Sequence, residues 1–202
     1  MDSTGLIAEC IQLAAADCNL PTPSLEAAKH IIGLGIVDST RHLFPALNDD
    51  GIALFAARYR THYLPRDSEV RLYSGIEDVL RSLAHEARFL AVATGKPRKG
   101  LNRAFQYCGL AHHFHYTRCA DEGFAKPHPD MLEKLMSYTG VSANETLMIG
   151  DTTHDLEMAF AAGCAGLGVS YGAHTLNKLL STPSIAVVDD VEALKAWLIL
   201  NG

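Results

Sequence analysis

From residue 70 to the C-terminus, short apolar runs alternate with stretches of helical spacing, and this alternation constrains the fold more than any other property of the chain. The runs Arg88 to Ala93, Phe114 to Thr117, Thr146 to Ile149, Ala165 to Ser170 and Ile185 to Val188 read as buried strands. Between them lie helix faces: Ile76, Val79, Leu80 and Leu83; Leu101, Ala104, Phe105 and Cys108; Met131 to Thr139; Asp155 to Ala162; and Val191, Leu194 and Leu198. Strands separated by helices cannot pair as hairpins. They predict an α/β fold, a Rossmann-like parallel sheet with helices on both faces. Residues 1–66 read differently, as all helix. Ile7, Ile11, Ala14 and Cys18 recur at helical spacing behind a cap at Ser3 or Thr4. Pro21-Thr22-Pro23-Ser24 breaks the chain, Ser24 caps a helix through Ile32, and Gly33-Leu34-Gly35 interrupts again. Ile52, Phe55, Ala56, Tyr59 and Tyr63 form one stripe of a longer helix ended by Pro65.

In open parallel sheets, ligands bind beyond the carboxyl ends of the strands, and polar signals stand at those ends. In Ile149-Gly150-Asp151-Thr152-Thr153-His154-Asp155, a strand stops at a glycine and carboxylates follow four residues apart. Acids favour a first helical turn in any case, which accounts for Asp155. An acid directly after strand–Gly is better explained by a hard divalent cation such as Mg²⁺, which takes oxygen ligands. Thr94-Gly95-Lys96-Pro97 offers a hydroxyl, free N–H groups and a helix start that suit a phosphate, or an ordinary capped turn. Lys126, before Pro127-His128-Pro129-Asp130, is either a fixed ammonium for phosphate or carboxylate charge or a solvated lysine beside a proline at the first helical turn. Tyr171, Gly172 and His174 are placed to line the same rim. His112, His113 and His115 lack helical metal-ligand spacing and read as a surface loop.

The balance of 17 Lys and Arg against 23 Asp and Glu, a net charge of −6, leaves no basic block, so no nucleic acid partner is expected. No apolar run reaches the length of a membrane span, and Met1-Asp2-Ser3-Thr4 has no basic signal-peptide region. Cys10, Cys18, Cys108, Cys119 and Cys164 are scattered and odd in number, as expected for reduced thiols in a cytoplasmic protein.

Taken in order, Thr94, Lys126 and Gly150-Asp151-x-x-x-Asp155 resemble the second, third and fourth motifs of the haloacid dehalogenase superfamily, in its phosphoglycolate phosphatase-like branch. Leu72-Tyr73-Ser74-Gly75-Ile76 also looks like this branch, and the resemblance covers nearly the whole chain. It implies an α/β core over 1–7 and 69–202 and an inserted helical cap over 8–68. It implies Mg²⁺ held by Asp151 directly and by Asp155 through water or as an orienting group. Thr94 and the Gly95 N–H would hold phosphate oxygens of a small phosphorylated metabolite, and Lys126 would steady the nucleophile and the transferring group. Within the cap, Gly33, Arg41 and His42 are candidates to face the substrate, with a helix break beside solvated charges as the other reading.

The sequence departs from the family at its start. The family's first motif, Asp-x-Asp-Gly-Thr-Leu-x-Asp-Ser, supplies a nucleophilic Asp that becomes an aspartyl phosphate and a second Asp that serves as acid and base. Met1-Asp2-Ser3 aligns with its last three positions. The expectation is that the nucleophile and the first central strand are missing from 1–202, as in a truncated enzyme, and that the chain alone turns over little or no substrate. The competing expectation is a non-catalytic descendant that binds a phosphate ligand or a partner. A dehalogenase has little use for Asp151 and Asp155 as a cation pair and ranks low. A phosphosugar mutase or a phosphonate hydrolase stays open, as does the oligomeric state.

Overall fold

The computed structural model describes residues 1–85 and 88–201; residues 86, 87 and 202 of the expected core lie outside them. Helices α1 (Thr4–Asp17), α2 (Leu25–His30), α3 (Ile36–Leu43) and α4 (Asp49–Tyr63) pack as a helical lobe over the stretch where a cap was expected. Their apolar stripes meet at Ala8, Ile11, Ala14, Ala15, Ala28, Ile31 and Phe55, all essentially shut off from solvent. Each fully buried Ile or Phe side chain there contributes about 1.5–3 kcal/mol. The expected cap at Ser24 forms, its Oγ accepting from the Ala27 N–H, but Ser3 before α1 makes no side-chain capping bond; Asn48 Oδ1, not expected as a cap, accepts from the Gly51 N–H. At Pro65 the chain tightens rather than stops, running on as a 3₁₀ turn, Leu64–Glu69. Helix α1 is continuous across residues 7 and 8, the expected boundary between core and cap.

The core follows as α5 (Ile76–His85), β1 (Ala91–Thr94), α6 (Arg98–Cys108), β2 (Tyr116–Cys119), α7 (Asp130–Thr139), β3 (Leu147–Gly150), α8 (Thr153–Ala161), β4 (Ala165–Val169), α9 (Leu176–Leu180), β5 (Ala186–Val188) and α10 (Val191–Asn201). The strands β1 to β5 pair in parallel, with Thr94 beside Cys119 at the end of β1 and β2 and Gly150 beside Gly168 at the end of β3 and β4, and Asp2 and Arg71 form a separate antiparallel bridge. Helices cover both faces: Met131, Leu132 and Leu135 of α7 join Met158 and Ala159 of α8 on one, Val79 of α5 joins Leu194 and Leu198 of α10 on the other. Among the described residues no helix is long and apolar enough to cross a membrane.

The sheet is in two pieces. β1 pairs with β2, and β3 with β4 and then β5, but β1 and β3 are not hydrogen-bonded to each other. Ala93 of β1 and Met148 of β3 nevertheless pack on the same cluster of α7 and α8, so the pieces lie over one floor. Central parallel strands are normally buried on both faces. β4 is, whereas Leu147, Met148 and Ile149 of β3 and Val92 and Ala93 of β1 are only half-buried. This is the arrangement expected of a core without its first central strand.

Candidate active site

The carboxyl ends of β1 and β3 converge beneath the cap. A Cβ on Gly95, just past β1, would fall 2.3 Å from the Gly33 carbonyl oxygen; a Cβ on Gly33 would lie 3.1 Å from Thr152 Oγ1, just past β3. Gly33 thus touches both rim segments, in a backbone conformation (φ +100°) that side chains rarely adopt. Of the cap candidates, only Gly33 is brought to this junction. Arg41 is exposed and pairs with Asp49 at 3.3 Å and Asp38 at 4.0 Å. His42 is exposed, its ring 5.6 Å from that of His30.

Asp155 and Lys126 form the centre of the site. Lys126 Nζ donates to Asp155 Oδ1 at 2.5 Å, with both side chains almost wholly buried (6% and 4% exposed). Asp155 Oδ2 accepts from the Thr152 N–H at 3.1 Å and the Thr152 hydroxyl at 2.8 Å. Burial pushes the Asp155 carboxyl up, but the Lys126 ammonium and these hydrogen bonds outweigh it and hold the group below its ordinary 3.8. Both oxygens of Asp155 are therefore occupied by protein donors, which suits an orienting role. Gly150 is what lets Asp155 approach: a Cβ there would fall 2.2 Å from Asp155 Cβ.

Asp151 behaves oppositely. Its Oδ2 accepts from the Ala173 N–H at 2.8 Å, and its carbonyl accepts from the His174 N–H at 3.0 Å. Burial first, and then the charge of Asp155, raise its carboxyl above 3.8. The pair of carboxylates faces the Lys126 ammonium and, on the side of Asp151, the Met1 amino group, yet the Asp151 carboxyl stays raised, a strain that a divalent cation would relieve. Among the described residues no cluster of three or more His, Cys, Asp or Glu is arranged for a metal. Asp151 would hold Mg²⁺ as Mg²⁺ is commonly held, by one or two carboxylates with water and substrate phosphate as the other ligands. Thr94 closes β1, and its hydroxyl accepts from the Lys96 N–H at 3.1 Å. A cavity of about 170 Å³ beside Asp151 is lined by Met1, Tyr73, Ile76, Ile149, Val169 and Tyr171.

His174 lies in this region, buried, with Nδ1 accepting from the Thr153 N–H at 3.0 Å. Its Nε2 and that of His154 each lie 2.9 Å from the His30 carbonyl oxygen at the end of α2. His112 and His113 sit in a 3₁₀ turn, and His115 is exposed, its Nδ1 accepting from the Leu90 N–H. Thr152, His30 and His154 were not legible as site residues, whereas His174 was expected at this rim. Thr152 does carry a signal, the Thr-x-x-Asp spacing of a capping box.

The family model for haloacid dehalogenase-like hydrolases matches residues 1–169. A "Probable phosphatase IndB" of Dickeya dadantii is 30% identical over 94% of this chain and 84% of its own length. A "Phosphoglycolate phosphatase" of Aliivibrio fischeri is 30% identical over 98% of this chain and 91% of its own. Among solved structures, a hydrolase from Pseudomonas syringae superposes with a TM-score of 0.90 at 18% identity, covering 98% of this chain and 93% of that one. The chain belongs to the haloacid dehalogenase-like hydrolase family.

Proposed function

We propose that the protein serves as a Mg²⁺-dependent phosphatase of small phosphomonoesters, phosphoglycolate-like in substrate class, whose nucleophilic aspartate is not among residues 1–202. The observation that carries this reading is the buried Lys126–Asp155 pair beside Asp151, whose carboxyl is raised by burial and by Asp155. The relatives named as phosphatases support it. Thr94 and the Gly95 N–H bind phosphoryl oxygens, and Lys126 balances negative charge as the anions meet. Asp151 holds the cation, and Asp155 fixes Lys126 in place. The cation, when bound, offsets the charge of phosphate and carboxylates. Gly33 closes the cap over the rim, which excludes water from the reacting centre.

No Asp-x-Asp occurs in residues 1–202, and the place for such a strand is the slot between β1 and β3. Chain 1–202 alone is accordingly expected to be inactive. The test compares 1–202 with a version extended at its N-terminus by an apolar strand ending in Asp-x-Asp-Gly-Thr, on a panel of phosphomonoesters with and without Mg²⁺. Mg²⁺-dependent hydrolysis in the extended protein alone supports the reading. Turnover by 1–202 refutes the assignment of the nucleophile. Inactivity of both folded proteins favours the second reading, a phosphate-binding protein without catalysis.

A further inference from the structure

A second cavity, of about 420 Å³, opens where the helical lobe meets the core. Glu26, Lys29 and His30 of α2 line it from one side, and Ala173, His174 and Lys178 from the other. It shares no lining residue with the cavity beside Asp151, and its size is that of sites for small organic molecules. Lys178 Nζ donates to Glu26 Oε1 at 3.0 Å across the two walls. Lys29, half-buried, has no ion pair and no side-chain hydrogen bond among the described residues. Both ring nitrogens of His174 are taken, by the Thr153 N–H and the His30 carbonyl, and burial holds this imidazole down to about 4, so it is neutral at pH 7. His30 is lowered too, by burial first and then by Lys178. The wall thus sets two ammoniums against the one carboxylate of Glu26, a net charge of one positive unit. His30 Nδ1 is shut off from solvent without a hydrogen-bond partner, so the junction is incomplete on its polar side.

We propose that this cavity is an effector site for a small organic monoanion, a carboxylate on an apolar body, with the carboxylate between Lys29 and Lys178 and the body against Leu25 and Ala173. A single negative charge matches the wall, whereas Glu26 repels a second one. The apolar body is required because half-exposed lysines hold a bare anion weakly. Leu25 supplies apolar surface, being 53% exposed, and the lysine stems extend it. The site is coupled to the rim through the backbone. Ala173 and His174 line the cavity, and their N–H groups donate to Asp151, to Oδ2 at 2.8 Å and to the carbonyl at 3.0 Å. An occupant that spans both walls ties the lobe to the core and steadies the segment on which Asp151 leans. It touches no reacting atom, and the inference stands whether or not the chain is a phosphatase.

The test is calorimetric titration of 1–202 with 3-phenylpropionate, its neutral amide 3-phenylpropionamide, and acetate. The proteins are the unaltered chain, Lys29→Met, Lys178→Met and, as a control, Lys134→Met, which alters an exposed lysine of α7 outside both cavities. The unaltered chain and the control are expected to bind 3-phenylpropionate at least about 10-fold more tightly than the amide or acetate, with a Kd of about 1 mM or below. Lys29→Met and Lys178→Met each weaken 3-phenylpropionate at least about 3-fold and leave the amide unchanged, since methionine keeps the apolar stem. Saturating inorganic phosphate with Mg²⁺ does not displace the probe, and the probe slows hydrogen exchange at the Ala173 and His174 amides. No binding up to about 10 mM, equal affinity for acid and amide, an equal loss in Lys134→Met, or displacement by phosphate overturns the site. Unchanged exchange at the two amides overturns its coupling to Asp151. None of these outcomes bears on the phosphatase reading.

Discussion

Replacing Lys126 by methionine removes the ammonium and leaves Asp155 buried. The two side chains are 6% and 4% exposed and 2.5 Å apart, so solvent screening is slight. Breaking one side of such a pair costs about 3–5 kcal/mol. Asp155 keeps the Thr152 N–H and hydroxyl as donors, which places the cost near the lower end, about 3 kcal/mol. For a domain of this size that lowers the thermal midpoint by about 6–12 °C. The pH dependence is distinctive. In the unaltered protein the Asp155 carboxyl lies below 3.8, so the pair's contribution is complete above that value and is lost as pH falls through the folded pKa. In the variant, burial, the largest influence on the group, is opposed only by the two Thr152 hydrogen bonds and raises the carboxyl, so acid protonates and relieves it. The deficit therefore shrinks between about pH 7.5 and about pH 4.5. Urea unfolding followed by circular dichroism at both pH values measures this. A deficit below about 1 kcal/mol, or one equal at both pH values, would falsify the argument that the pair is dry.

Asp151→Asn trades stability against metal binding. The raised carboxyl of Asp151 costs the metal-free protein stability as pH rises above 3.8. The variant is therefore expected to melt about 2–4 °C higher without metal and to lose the added stabilisation that millimolar Mg²⁺ gives the unaltered protein. A scanning melt with and without Mg²⁺ decides, and a lower metal-free midpoint contradicts the electrostatics. Gly150→Ala puts a Cβ 2.2 Å from Asp155 Cβ and 2.6 Å from its Oδ2. A destabilisation of at least about 3 kcal/mol in urea is expected, and a neutral effect would show that α8 shifts freely away from β3.

The sequence was most legible where one physical pattern dominated. The five expected strands all form; β4 starts where drawn, at Ala165, and the other four start one to three residues later. At β2 the apolar run begins at Phe114, but Phe114 stacks on Phe105 with ring centres 5.7 Å apart, and the ladder starts only at Tyr116. Helix α3 was not drawn. Its Ser39 and Thr40 are buried, yet their hydroxyls bond the carbonyls of Ile31 and Ile36, so its inner face does not look apolar. At the site, strand ends announced Thr94 and Asp151 because the sheet's geometry makes every strand end a place for ligands. Lys126 and Asp155 meet across 29 positions of sequence, and spacing carries no trace of that contact. Lys96 stood in plain view after Thr94-Gly95, but Tyr63, whose hydroxyl accepts from its Nζ at 2.8 Å, comes from the end of α4 and looked like one more apolar stripe residue.

The single carbonyl of His30 has a mechanical consequence. It receives the imidazoles of His154, which rides on α8, and of His174, which follows β4. One oxygen is thus the rivet through which the tip of α2 is fastened to the helix that carries Asp155 and to the loop that clasps Asp151. The lobe cannot swing on one bond while the other holds, since both end on the same atom. Lifting α2 by a bond length strips two buried rings of their acceptor together, so the two contacts are lost or kept as one.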